Sequence, residues 1–481
     1  MDAASLPLPA TEACDAAVSV VRSLRATGHQ AFFVGGCVRD LVLGLTPKDY
    51  DVATSAAPPA VVALFRHVVE VGVAFGVVRV RVPGRSGGPL HEIEVATFRA
   101  DGGYSDGRRP DAVRFTDVRE DVLRRDFTLN GLLLDPLGPD GRPVARSQVV
   151  DLVGGLDDLH AGILRAIGVP RLRFAEDALR MLRAPRFAAR FVLEIEPATA
   201  TAIRTAAADL VRVSPERVRA ELLAMLAATT APRALALLED LGLAQVLWPA
   251  LVAADPGLRS RRSRFAALHP ELPGQAPTPG RDRVPPLPAD PSGLPPEAGV
   301  APPLAIAALW WPLWTGPATA LAEAWRLSRA ETASLAAILR LAKGLHAAAA
   351  DLALRTPPDQ TETAAAAWPE PALVRPLRDP NADAALRLLL ADDEAMGVRG
   401  AVATFLHGWR QLRVDVPYTQ WWPQPVVTGD DLQAWGHAPG PGFRAALVAA
   451  EDAQLSGRSD EEAAAAARSV LAGGQALPKA T

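Results

Sequence analysis

Cysteine is almost missing from this 481-residue chain. Cys14 and Cys37 are the only two, too few for a disulfide framework, and neither sits in a Cys/His spacing that would hold zinc. Lysine is nearly as scarce: Lys48, Lys343 and Lys479 are the only three among 50 Lys and Arg. The positive charge is therefore almost all guanidinium, which suits bidentate phosphate and base contacts. No global basic field exists either, because 54 Asp and Glu leave a net charge of −4. Any nucleic-acid contact must come from a local patch. Long apolar runs are absent as well. The most apolar stretch, 300–314, is broken by Pro302, Pro303 and Pro312 and cannot span a membrane. Near the N-terminus Glu12 and Asp15 interrupt any leader pattern. A cytoplasmic protein without membrane contact is expected.

Hydrophobic residues make up 49% and charged residues 22%, the balance of a folded chain with a sizeable core. At about 150 residues per domain the length implies about three domains, or one domain with a long modular tail. Residues 12–30 read as an amphipathic helix with Ala17, Val18, Val21 and Leu24 on one stripe and Gly28 as its stop. Ala31 to Val34 is a buried strand running into Gly35-Gly36, and residues 38–43 start another helix. Strand patterns recur at 50–53, 76–82 and 92–98. Residues 30–150 thus form a small α/β domain on four or five strands. Beyond residue 159 the pattern is helical. Ser214-Pro215-Glu216-Arg217 reads as a helix start, 270–303 holds 12 prolines as a linker, and 356–381 is a second Pro-rich break.

The residues suited to chemistry begin with Asp49-Tyr50-Asp51. Carboxylates spaced i, i+2 on a strand project from one face, close enough to share divalent metals. Glu94 lies on a later strand. Two such aspartates plus one strand acid is how a two-metal phosphoryl-transfer site is assembled. Upstream, Gly35 and Gly36 stand at a strand-to-helix turn where backbone amides can approach a triphosphate, and Arg39 can add charge-assisted bonds.

Together Phe33 to Asp40 (FVGGCVRD), Lys48 to Asp51 (KDYD) and Arg124 to Asn130 (RRDFTLN) closely resemble the class II tRNA nucleotidyltransferase and bacterial poly(A) polymerase family. Further matches follow in the same order. Tyr104 to Pro110 (YSDGRRP) resembles the family's flexible loop, with Tyr104, Asp106, Arg108 and Arg109. Asp151 to Asp158 (DLVGGLDD) resembles its head–neck hinge, and Arg173 to Arg183 its nucleobase-recognition helix. Ser214 to Glu221 resembles the motif that stabilises that helix. Val426 to Leu432 with Pro439 to Gly442 resembles its C-terminal RNA-binding module. The resemblance implies an α+β protein: a nucleotidyltransferase α/β head with a small mixed sheet (1–152), then an all-α neck (153–262), a Pro-rich linker (263–304), a helical body (305–420) and an RNA-binding tail (421–481).

On such a recognition helix Asp177 and Arg180, spaced i, i+3, share a face. Cytosine and adenine both present an exocyclic amine beside a ring-nitrogen acceptor, which one Asp–Arg pair can read. Guanine and uracil present a carbonyl and a ring N–H there. Arg183 and Arg186 extend the stripe toward triphosphate or RNA end, and Arg124 or Arg125 should reach phosphate. Seven arginines against two acids between 165 and 190 make the local basic patch. Asp126 and Asn130 either organise the fold or touch substrate. Pro185 departs from the family's small or branched apolar residue at that place, and a kink is expected.

The implied activity is template-independent addition of CCA, or only of its terminal A, to the tRNA 3′ end. ATP and CTP are the substrates, the acceptor arm is the partner and two Mg²⁺ ions sit on Asp49 and Asp51. Glu94 is a third ligand or a base. An A-only enzyme would need a separate CC-adding partner. The alternatives are a poly(A) polymerase, whose Arg-rich signature after the head is not evident, and an inactive RNA-binding relative. Intact Asp49 and Asp51 argue against the latter, because paired carboxylates repel one another without a function to serve. Trp310, Trp311, Trp314 and Trp325 read as helical core.

Overall fold

The computed structural model describes residues 5–70, 76–84, 88, 90–102, 112–138, 141, 143–268, 300–397, 400–421 and 423–474. The loop residues Tyr104, Asp106, Arg108 and Arg109, and the Pro-rich stretch from 269 to 299, lie outside them. The described chain divides after Leu258 into two units.

In the first unit a short strand β1 (Ser5–Leu6) precedes helix α1 (Glu12–Ala26). Thr11 caps α1 by accepting from the Cys14 amide, and Ala17, Val18, Val21 and Leu24 are buried, the stripe that the periodicity predicts. The chain then lays down β2 (Ala31–Val34), α2 (Gly36–Val42), β3 (Asp51–Thr54), α3 (Pro58–Leu64), β4 (Val68–Val69), β5 (Val77–Pro83) and β6 (Leu90–Thr97). After these come β7 (Arg99–Gly102), β8 (Ala112–Phe115), α4 (Val118–Leu123), β9 (Leu133–Leu137) and β10 (Pro143–Val150). The sheet order is β1-β10-β9-β2-β3-β6-β5-β4, antiparallel except for the parallel pair β3–β6. β7 and β8 form a separate hairpin.

The sheet has eight strands, not four or five. β1 and β4 are two residues long, and β9 and β10 carry Pro136 and Pro143. None of these four offers the alternation by which a strand is read from sequence. Val34, Ala53, Phe98, Val122 and Leu133 pack as one cluster beneath the sheet and bind α4 to it.

The neck follows as α5 (Gly155–His160), β11 (Ile163–Leu164), α6 (Pro170–Glu176), α7 (Arg180–Arg190), β12 (Glu194–Ile195), α8 (Pro197–Ala206) and α9 (Pro215–Leu226). Asp151 shapes the entry by accepting from the amides of Val153, Gly154, Gly155 and Leu156 at 2.9–3.1 Å. Gly154 takes φ 78°, which L side chains rarely adopt. A Cβ on Gly155 would overlap the Thr128 carbonyl oxygen and lie 2.8 Å from its carbon, so only glycine lets α5 approach the head this closely.

Two expectations for the recognition helix change. The segment 173–190 is two helices rather than one: α6 ends at Glu176, and Asp177 is extended at φ −147°, ψ 103°. Its carboxylate accepts the Leu179 amide at 3.1 Å, a local bond that competes with helix. Asp177 and Arg180 therefore do not share a helix face. The kink expected at Pro185 does not break α7, which runs from Arg180 to Arg190. Pro185 lies in the second turn, where only the Met181 carbonyl loses a donor, and its ring is buried in the core.

The regular elements among the described residues of the second unit are all helices. Residues 263–268, expected as linker, are the end of a helix Arg259–Leu268, and Pro302 to Leu304 open the helix Pro302–Trp310. Arg261 and Arg264 are 3% and 1% exposed. Arg264 donates to the Ala308 carbonyl and to Asp392, which also accepts from Trp311. The stretch 356–381, expected as a loose break, contains the helices Thr361–Ala366 and Pro371–Arg378. Prolines at helix starts, as at Pro371, are compatible with the fold they were read as breaking. Ser328 and Glu331 form a capping box at the head of the 27-residue helix Arg329–Arg355. Trp311 and Trp325 are buried and Trp310 and Trp314 half-buried, in keeping with core. Val427, Leu432, Ala446, Ala450, Ala467 and Leu471 make a distinct core for the C-terminal helices Gly429–Ala434, Pro441–Leu455 and Asp460–Gly474.

Candidate functional site

The site begins where β2 turns into α2. Gly35 has φ 70° and ψ −126°, a conformation that strains any residue with a Cβ. A Cβ there would also lie 3.1 Å from a terminal nitrogen of Arg125. Gly35 thus allows both the turn and the arginine that leans over it. Gly36 opens α2, with the Arg39 guanidinium 3.6 Å from where its Cβ would be.

Arg39 itself is 7% exposed and engaged. It donates to Asp40 at 2.6 and 2.9 Å and to Asn130 Oδ1 at 2.9 Å, and it stacks 4.4 Å above the Phe191 ring on the neck. The sequence leaves its role as phosphate contact. The structure makes it a rivet between turn and neck, at the rim of the same turn.

Asp49 stands in a bend just before β3, and Asp51 is the first residue of the strand. Tyr50 between them is 1% exposed and packs on Phe33 at 5.4 Å. Asp49 and Asp51 are both exposed, so the alternation holds although the strand begins one residue later than expected. The parallel register sets Asp51 directly opposite Glu94. Desolvation and then the Glu94 carboxylate push the Asp51 carboxyl up to about 6, with Asp49 adding to the rise and Arg125 opposing it. Neither aspartate nor Glu94 has an arginine or lysine ion pair among the described residues. Unpaired, mutually repelling oxygen donors suit a hard divalent cation. No group of three acids, histidines or cysteines already converges to ligating distance among the described residues, so Glu94 is a charged neighbour of the pair and not a formed third ligand.

Behind the turn lie the arginines of the RRDFTLN segment. Arg124 and Arg125 both donate to Asp121, which is 1% exposed. Asp126 accepts from the Phe127 amide, from Asn130 Nδ2 at 3.0 Å and from Arg183 at 2.8 Å. Burial works to raise the Asp126 carboxyl, but Arg183, Asn130 and Phe127 outweigh it and hold it below the usual range. Asp126 and Asn130 thus organise the head and tie it to α7.

Arg180, Arg183 and Arg186 of the neck are each paired with an acid. Arg180 donates to Glu176 at 2.7 Å and to the backbone carbonyls of Arg173 and Arg124 at 3.0 Å. Asp177 pairs with Arg217 of α9, not with Arg180, through contacts of 2.7 and 3.2 Å. Arg186 pairs with Glu221 of α9 at 2.5 Å and lies over the Phe187 ring. Arg217 and Glu221 both lie in the segment read as the stabilising motif. Asp121 was missed, although an acid three and four residues before two arginines was a visible signal. Ser214 begins α9 as expected, but its side chain makes no capping bond.

Residues 31–165 match the family described as the Poly A polymerase head domain, and residues 193–255 match the probable RNA and SrmB-binding site of polymerase A. A CCA-adding enzyme of Lactiplantibacillus plantarum is 44% identical over 207 residues, 43% of this chain and 47% of that protein. One of Geobacillus stearothermophilus is 38% identical over 264 residues, 52% of this chain and 61% of that protein. The chain thus aligns with only about half to three fifths of the length of these curated relatives. A crystal structure of Bacillus stearothermophilus CCA-adding enzyme in complex with CTP superposes with a TM-score of 0.66 at 26% identity, covering 97% of this chain and all of that one. A Thermotoga maritima CCA-adding enzyme complexed with tRNA shares the fold at a TM-score of 0.60 and 17% identity, covering 96% and 95%.

Proposed function

From the premise that this chain carries the head and the RNA-binding domain of the poly(A) polymerase family, we propose that it is a tRNA nucleotidyltransferase. It adds CCA, or only the terminal A, to the tRNA 3′ end from CTP and ATP without a nucleic-acid template. The observation that carries this reading is one juxtaposition. The exposed Asp49–Asp51 pair, with Glu94 opposite, stands in the same domain as the Gly35–Gly36 turn and the arginines beside it.

Asp49 and Asp51 would hold two Mg²⁺, which neutralise phosphate charge and lower the pKa of the attacking hydroxyl when bound. Gly35 and Gly36 leave room for the triphosphate against backbone amides. Arg125, and with it Arg124, supplies charge-assisted bonds to phosphate oxygens. The RNA 3′-oxygen bonds to the α-phosphorus as the bond to the pyrophosphate oxygen breaks. Arg39, Asn130, Asp126 and Arg183 hold α7 against the head. Asp177 and Arg180 flank the α6–α7 break. There the carboxylate can accept from an exocyclic amine while the guanidinium donates to a ring nitrogen. Arg217 holds Asp177, and Glu221 holds Arg186, so that both keep their directions. The helical second unit would grip the acceptor arm by shape and phosphate. No described helix is long and apolar enough to cross a membrane, and a cytoplasmic site of action fits this chemistry.

The test is incorporation of labelled CTP and ATP into three tRNA transcripts, ending at the discriminator base, after C and after CC. CCA on the shortest transcript means complete repair. AMP added only after CC means an A-adding enzyme that needs a CC-adding partner. Long A tails on any RNA would replace this reading with poly(A) tailing. No incorporation with Mg²⁺ present would leave an RNA-binding protein.

A further inference from the structure

Among the described residues Asp121 is the most completely buried carboxylate of the head, at 1% exposure, and it holds both arginines beside the candidate site. Its Oδ1 accepts from Arg124 at 2.7 and 3.0 Å and from the Arg99 amide at 3.3 Å. Its Oδ2 accepts from Arg125 at 3.0 Å. Arg99 is the first residue of the β7–β8 hairpin, so one carboxylate ties the root of that hairpin to both arginines. Burial would raise the Asp121 carboxyl, but Arg125 and then Arg124 hold it below the usual carboxylate range, so it stays ionised at neutral pH.

A buried anion with two cations is a poor device for stability alone. An apolar residue of similar volume fills such a space with no desolvation cost. What an apolar residue could not do is direct two guanidiniums. Arg125 reaches the phosphate turn with its Nη1 over Gly35 and 3.5 Å from the Asn130 carbonyl oxygen, while its Nη2 is held more closely, at 3.0 Å, by Asp121.

We propose that Asp121 is a positioning residue for nucleotide binding: its carboxylate aims Arg125 at the Gly35–Gly36 turn. This rests on the reading that Arg125 meets the nucleotide's phosphates. A guanidinium with one edge fixed keeps its free edge directed at the ligand. Releasing that edge makes each binding event order the side chain anew.

The test compares the full chain with Asp121→Asn, Asp121→Glu, Arg125→Ala and the double variant D121N/R125A, measuring Kd for ATP and for AMP by calorimetry. Asp121→Asn should weaken ATP about tenfold, the scale of one charged hydrogen bond, while AMP changes by less than about twofold. The double variant should bind ATP no worse than Arg125→Ala, because Asp121 acts through Arg125. Equal losses for ATP and AMP, additive losses in the double variant, or unchanged ATP binding in a folded Asp121→Asn would each overturn the proposal. Unchanged ATP binding in Arg125→Ala would overturn the phosphate reading beneath it. If circular dichroism shows that Asp121→Asn does not fold, Asp121→Glu decides. It keeps the charge but moves the oxygens by one methylene. A severalfold loss for ATP alone supports the role, and wild-type ATP binding refutes it.

Discussion

Removing Arg217 tests the proposal that Asp177 reads the base. Asp177 sits in the extended break between α6 and α7, where no helix constrains its side chain. Three donors orient it: Arg217 at 2.7 and 3.2 Å, and the Leu179 amide at 3.1 Å. Arg217→Ala removes the first two and leaves the one backbone donor. Hydrogen bonds to charged groups contribute about 1.5–3 kcal/mol each. The two side chains are 22% and 16% exposed, so solvent takes up part of that loss. About 2 kcal/mol remains for the direction of Asp177, which is about thirtyfold in an equilibrium. The assay is kcat/KM for ATP against GTP, and for CTP against UTP, on transcripts ending after CC and at the discriminator base. Discrimination should fall by about that factor while the chain stays folded. Arg217→Lys should fall between, since an ammonium keeps the charge but not the fork. The reasoning is refuted if Arg217→Ala slows all four nucleotides equally and leaves discrimination intact.

Three further outcomes follow from the same geometry. Asp51→Asn should lower incorporation by roughly a thousandfold with a melting temperature no lower than the wild type's, because it removes an oxygen proposed to hold the cation and relieves the repulsion with Glu94; substantial residual activity would remove Asp51 from the site. Gly155→Ala should destabilise the first unit by about 1–3 kcal/mol, since the methyl overlaps the Thr128 backbone, which cannot move aside as a flexible side chain would; an unshifted thermal melt would show that the hinge has slack. Asp126, held below the usual carboxylate range when folded, contributes stability that is fully present above about pH 4 and is lost as pH falls from there through its folded pKa. The gap in thermal stability between the wild type and Asp126→Asn should therefore be constant from pH 7 to 5 and narrow below 4, and a gap that is unchanged at pH 3 would contradict the assignment.

Much of the head was legible because its signals are local. The stripe of α1, the turn at Gly35-Gly36 and the alternation that exposes Asp49 and Asp51 around buried Tyr50 all depend on residues within a few positions of one another. The short and proline-bearing strands were not legible, because a two-residue strand exists only through its partner. Nor was the break at Asp177. A run of helix formers predicts one helix, and it took the pull of Arg217 from α9, forty residues away, together with the Leu179 amide, to end it.

The arginines divide most clearly between the two levels. Sequence alone determined that guanidinium would carry nearly all the positive charge and that it would gather between 165 and 190. It could not determine which guanidiniums are spent on structure. Arg264 is sealed against Asp392, 128 residues later, Arg39 is held between Asn130 and Phe191, and Arg124 and Arg125 share Asp121. Residue type and local spacing fix what a side chain offers. Its partner is chosen only when the chain closes, because a buried charge must be matched by whichever opposite charge the fold brings within about 3 Å.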